Sequence, residues 1–135
     1  MDQTLSKWQP AVLSLFRFIT GLLLFQYGVA KIFKFPVVPY FANIPPLITA
    51  AGAIELILGA LLMIGLFSRL AAFILSGEMA FAYFLGHMFK NPSEPVFLPL
   101  LNNGTAAIFF CFACLYLATS GPGPISVDAM LRGKT

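Results

Sequence analysis

The chain has 135 residues, of which 59% are hydrophobic and 10% charged, with a formal net charge of +3, and its mean hydropathy is +0.89. Soluble domains carry about a quarter charged residues, because water has to be bound at their surface, so this composition excludes a water-soluble globular domain. The basic balance is no nucleic-acid signature either, since the eight Lys and Arg stand singly and form no run.

A membrane-spanning helix needs about 20 consecutive, mostly apolar residues. The first such stretch runs from about residue 11 to 32, with Pro10 at its start, where a missing N–H costs nothing. It is too long for a secretion leader and contains Arg17, so it is expected to remain as a span. The second runs from about 46 to 67. The third, from about 69 to 88, follows after one or two residues, so the two form a tight antiparallel hairpin. The fourth runs from about 99 to 120 and is stopped by Gly121-Pro122-Gly123-Pro124. The two longer connections, Phe33 to Pro45 and Phe89 to Leu98, are proline-rich and too short to fold alone. The expected architecture is an all-α membrane protein, a four-transmembrane-helix bundle forming one domain over residues 1–135. An even number of spans puts both termini on one side. Lys7, Arg69, Arg132 and Lys134 fall on that side, and Lys31, Lys34 and Lys90 on the other, so the positive-inside rule places the termini in the cytoplasm.

Three charged residues fall where lipid is expected: Arg17, Glu55 and Glu78, each near the middle of its helix. A charge at the bilayer centre costs at least about 2.5 to 3.5 kcal/mol, so such residues face the bundle interior. Arg17, Gly21, Leu24, Gly28 and Lys31 recur at spacings of 4, 3, 4 and 3, which is one helix face. Gly52, Glu55 and Gly59 share another face, and Ala71, Leu75, Glu78 and Ala82 a third. Glycines on such a face let a partner helix approach closely. The expectation is that Arg17 pairs with Glu55 or Glu78, with Glu55 the better placed because of its glycines. One guanidinium cannot neutralise two carboxylates, so the remaining acid, Glu78, takes up a proton. The pair either fixes helix register only or forms a proton or ligand site.

A second polar group gathers towards the opposite end: Gln26, Lys31, His87, Asn102 and Asn103. His87 lies nine residues after Glu78, half a turn around an ideal helix, so the two share no site unless the helix kinks. A lone histidine with no ligand-spaced partners predicts no metal. Cys111 and Cys114 have a thiol-redox spacing, but they lie well inside an apolar helix, where a thiolate is disfavoured. They are expected to be reduced core residues. No phosphate-binding glycine loop, nucleophile elbow or haem-attachment motif is present.

Arg17-x-x-x-Gly21 followed by Gly28-x-x-Lys31 resembles the first helix of the DoxX family. Gly52-x-x-Glu55-x-x-x-Gly59 and Leu61-Leu62-x-x-Gly65-Leu66-x-x-Arg69-x-Ala71-Ala72 are similar to its second and third helices. Met79 to Ala82, Asn103-Gly104, and Gly121-x-Gly123-x-x-Ser126-x-Asp128 continue the likeness over nearly the whole chain. The resemblance implies a four-helix protein of the cell inner (plasma) membrane. The family takes its name from a subunit associated with thiosulfate:quinone oxidoreductase, and its members are often described as oxidoreductases.

Three functions compete. The first is a subunit or accessory factor of a membrane redox system, without a motif-bound cofactor but with a quinone as the ligand the resemblance implies. It calls for an apolar cavity open to lipid, with Arg17, Glu55 or Glu78 at its base. The second is a structural scaffold whose buried charges are fully paired. The third is a small proton-coupled transporter, which would need a second copy to enclose a path. The implied partners are membrane lipid, redox proteins of the membrane and a second copy of the chain, with no nucleic acid. Arg17, Glu55, Glu78, Lys31, His87 and Asn103 are the candidate ligand-facing residues.

Overall fold

The computed structural model describes residues 2–133. Lys134, counted above among the terminal charges, lies outside the described residues. The elements in chain order are α1 (Asp2–Ser6), α2 (Gln9–Phe33), a 3-10 turn (Pro39–Phe41), α3 (Pro46–Ile64), α4 (Ser68–Tyr83) continued by a π-helical turn (Phe84–Met88), α5 (Pro99–Asn102), α6 (Thr105–Ser120) and α7 (Val127–Arg132). No strand occurs among the described residues.

Three stretches, Gln9–Phe33, Pro46–Ile64 and Ser68–Met88, are long and apolar enough to cross a membrane. The fourth apolar segment is not the single helix over 99–120 that the sequence suggests. Asn103 takes the left-handed conformation at φ 60° and divides it into α5 and α6. The 16 residues of α6 span about 24 Å, short of the roughly 30 Å of a hydrocarbon core. The second helix also ends early. Gly65, at φ 75°, bonds back to the carbonyls of Leu61 and Leu62, and the Leu66 N–H bonds to Leu61. This is a left-handed cap that only glycine adopts without strain. The hairpin connection is therefore Gly65 to Phe67 and not one or two residues.

The bundle is two close pairs: α2 packs chiefly on α3, and α4 on α6. Their shared core is a layer of Leu24, Leu62, Ala72, Leu75, Met79, Cys114 and Leu117. On the outer faces large apolar side chains such as Leu70, Phe73, Phe81 and Phe109 stand exposed. Water would penalise that surface, and hydrocarbon does not.

Candidate functional site: a buried lysine–glutamate cluster

The α2–α3 pair is set by glycine. A Cβ added to Gly21 would lie 2.6 Å from the Met63 nitrogen, and one on Gly28 would lie 2.5 Å from the Leu56 nitrogen. One on Gly59 would meet the Phe25 nitrogen at 2.8 Å. Backbone therefore lies on backbone along the seam, in an antiparallel register that sets Gly21 against Gly59 and Gly28 against Gly52. Helical side chains lean towards the N-terminus of their own helix, so Lys31, on the last turn of α2, reaches back down the seam across Gly52. Its ammonium meets both oxygens of Glu55, at 3.0 and 2.8 Å. Glu55 is buried, and Lys31 keeps a small opening towards the loop end of the bundle. There the rings of Tyr27 and Phe41 flank the ammonium at 5.9 and 5.5 Å, where ring quadrupoles favour a cation.

Glu78 of α4 completes the cluster. Its carboxyl is hydrogen-bonded to that of Glu55, while its Oε1 is buried without a partner. Two carboxylates both accept and neither donates, so a bond between them holds one proton. With that proton the cluster of one ammonium and two carboxyls is neutral, which is what a site cut off from water requires. Cys114 of α6 is fully buried in the core beside this group, and both cysteines are free thiols. Cys111 lies 3.6 Å from the Ser76 hydroxyl, which donates to the Cys111 carbonyl at 2.8 Å.

Arg17 does not pair with either acid, which corrects the expectation from the sequence. The glycine register sets Arg17 opposite Leu62, seven residues or about 10 Å along α3 from Glu55. Its Nε donates to the Leu62 carbonyl at 2.9 Å. One terminal nitrogen donates to Pro122, and the other to Met63 at 3.4 Å and Ile125 at 2.9 Å. Arg17 thus ties the end of α3 to the segment after α6. The same segment is held by the Ser14 hydroxyl accepting from the Ile125 N–H at 3.0 Å, and by the Asp128 N–H donating to the Gly65 carbonyl at 2.9 Å. Asp128 in turn accepts from the Phe67 and Ser68 N–H groups, both at 2.9 Å, at the start of α4. Partial burial works against the Asp128 carboxylate. The two backbone donors outweigh it and hold the carboxyl below the ordinary aspartate range.

His87 and Asn103 are not brought to the cluster. The His87 Nδ1 lies 2.9 Å from the Asn102 carbonyl, and its ring stacks on Tyr83. Asn103 is exposed and serves as the left-handed residue of the turn. Asn102 is the working amide there: its Nδ2 donates to the Val96 carbonyl at 2.9 Å and the Tyr83 hydroxyl at 3.2 Å, and its Oδ1 caps the Gly104 N–H. Gln26 is exposed. Among the described residues no three His, Cys, Asp or Glu side chains gather as metal ligands.

A DoxX family model matches residues 12–88, more than half of the chain. The chain belongs to the DoxX family. A protein of Haemophilus influenzae described as uncharacterized is 36% identical over 127 residues, covering 92% of this chain and 93% of that protein. No solved structure matches. The stretch matched by the DoxX model holds Arg17, Lys31, Glu55 and Glu78 and stops before the C-terminal clasp. In this DoxX protein the Gly121 to Asp128 segment has a structural role. Gly121 and Gly123 take φ 84° and 82°, against the Arg69 guanidinium and Ser14, and Ser126 caps α7 through the Ala129 N–H at 3.1 Å. Two clefts open on this DoxX bundle. One of about 440 Å³ has Arg17 on its wall beside Ile125 and Met130, and an apolar one of about 280 Å³ runs between α2 and α6 along Phe16, Leu23, Phe109 and Phe110. Of the three residues expected at the base of a lipid-open cavity, Arg17 lies on the wall of the larger cleft, and Glu55 and Glu78 lie on the wall of neither.

Proposed function

We propose that this integral membrane protein serves a membrane redox system as a subunit or accessory factor, and that it holds and releases a proton at the Lys31–Glu55–Glu78 cluster. The observation that carries the reading is the Glu78 carboxyl, bonded to Glu55 on one side and with a buried, unmatched Oε1 on the other. An intramembrane ionisable residue with a free acceptor is a functional-site pattern. A quinone is the ligand class that fits a redox partner in lipid, because its reduction consumes protons together with electrons. The electrons would come from a partner protein of the same membrane.

The protein would lie in the cell inner membrane with four crossings and cytoplasmic termini. The Lys31–Glu55 pair supports that orientation, because it takes Lys31 out of the exposed charge on the loop side. A scaffold is the second reading, favoured by the same closed pair, which joins α2 to α3 without needing chemistry.

Purification from native membranes in mild detergent, with bound lipid-soluble molecules and co-purifying proteins identified by mass spectrometry, separates the two. A quinone or a redox protein retained by the wild type and lost from a folded Glu78→Gln variant supports the redox reading. A preparation free of both in wild type and variant leaves the scaffold.

A further inference from the structure

We infer that the cluster is a proton path with one open end: Glu78 exchanges its proton with water only through Glu55 and Lys31 at the loop face, and the Phe41 ring covers the entrance. This rests on the reading of Glu78 as the proton-holding site. Lys31, Glu55 and Glu78 form a continuous hydrogen-bonded line from α2 across α3 to α4. Within the ion pair Lys31, on the last turn of α2 and at 12% side-chain exposure against 2% for Glu55, is the member nearer the loop end.

The opposite direction is closed. Leu24 lies seven residues before Lys31, Leu62 seven after Glu55, Leu75 three before Glu78 and Leu117 three after Cys114. Given the directions of the four helices, all four leucines lie on the terminal side of the cluster. They are at most 1% exposed and carry no polar side-chain atom. Beyond that layer lies the Arg17 clasp, whose partners are backbone carbonyls. The charged and titratable groups facing Glu78 are thus Lys31 from α2, Glu55 from α3 and the Cys114 thiol from α6.

At the entrance, the 3-10 turn Pro39–Phe41 sets the Phe41 ring 5.5 Å from the Lys31 ammonium. The Lys34 ammonium donates to the Phe41 carbonyl at 2.8 Å, and Phe41 packs edge-on against Tyr40. The Lys90 ammonium in turn donates to the Tyr40 hydroxyl at 3.1 Å. Both loops therefore hold the ring in place. Transfer conserves protons and moves no electrons. The Lys31 ammonium gives a proton to the Glu55 carboxylate, Glu55 then passes that proton to an emptied Glu78, and the Lys31 amine is recharged from water at the loop face.

The test is the rate of hydrogen–deuterium exchange of the protonated-carboxyl infrared band in lipid, with Glu78→Gln identifying the band. Phe41→Ala, a loop change that leaves the bundle packing alone, is expected to speed exchange at least fivefold, and Phe41→Trp to leave it slow. Lys31→Met, where it folds, is expected to slow exchange at least tenfold. Arg17→Gln, which loosens the terminal end, is expected to change it less than twofold. Exchange indifferent to Phe41→Ala, or quickened equally by Arg17→Gln, overturns the one-ended path while the site stands. Absence of any band that Glu78→Gln removes overturns the site reading itself.

Discussion

Arg17 shows how a buried cation is held without a carboxylate. Its planar fork reaches four carbonyls from two separate segments, a geometry an ammonium on a flexible stem cannot reproduce. Arg17→Lys should therefore lower the thermal midpoint in detergent, although charge is kept. Arg17→Gln should lower it further, since each carbonyl left dry and unpaired costs about 1 to 3 kcal/mol. In both variants limited proteolysis should cut within residues 121–133 sooner than in the wild type, because that segment loses its anchor. A midpoint unchanged in Arg17→Gln would contradict this role. The cysteines make the opposite case. Cys114 is sealed in the core and Cys111 is half-buried beside Ser76. Replacing both by Ala should keep the fold, and a membrane-permeant maleimide should label Cys114 only after unfolding. Rapid labelling of the native protein would reopen a thiol role.

Between elements, contact is decided by glycine at the α2–α3 seam and by capping at the terminal end. A methyl on Gly28 would meet the Leu56 backbone at 2.5 Å, whereas one on Gly77 would meet nothing within 4 Å. Gly28→Ala should force the two helices apart and separate Lys31 from Glu55, with a clear loss of thermal stability. Gly77→Ala, in a helix interior where alanine is favoured by up to about 1 kcal/mol, should be neutral or stabilising. Equal effects from the two would remove the seam from the account. Asp128 brings a pH dependence of definite sign. Its carboxyl is held below the ordinary aspartate range by the Phe67 and Ser68 N–H groups at the start of α4. The stability it adds is complete above the unfolded value, near 3.9, and is lost as the pH falls through the folded one. Asp128→Asn, which keeps only one of the two accepting oxygens, should cost about 1 kcal/mol at neutral pH and flatten the stability profile below about pH 4. A wild-type profile already flat there would contradict the cap.

For the whole molecule, hydropathy made the all-helical membrane bundle readable, and helical spacing made the Arg17–Gly21–Gly28–Lys31 face readable as a glycine seam. The pairing partner was not readable. Placing Arg17, Glu55 and Glu78 at one depth assumed helices aligned by their midpoints, whereas the glycine contacts offset α2 against α3 and bring Lys31 to Glu55. Lys31 lay on the same face and close to a helix end, where a lysine usually reaches outwards to water; here it leans back instead. The break at Asn103 was hidden because a left-handed residue between Asn102 and Gly104 leaves the apolar count of the segment unchanged. The bundle's central feature is one ammonium and two carboxyls sharing one proton. Thermal and denaturant unfolding in detergent tests it most directly in a Glu78→Gln background, where Glu55 is the sole acid of the cluster. Glu78→Gln alone should be mild, since Gln mimics the proton-holding acid. In that background Lys31→Met and Glu55→Gln should each cost about 3 to 5 kcal/mol, because each strands a buried charge. The Lys31→Met, Glu55→Gln combination should cost clearly less than their sum. Strictly additive losses, or a Glu78→Gln variant that fails to fold, would contradict the cluster.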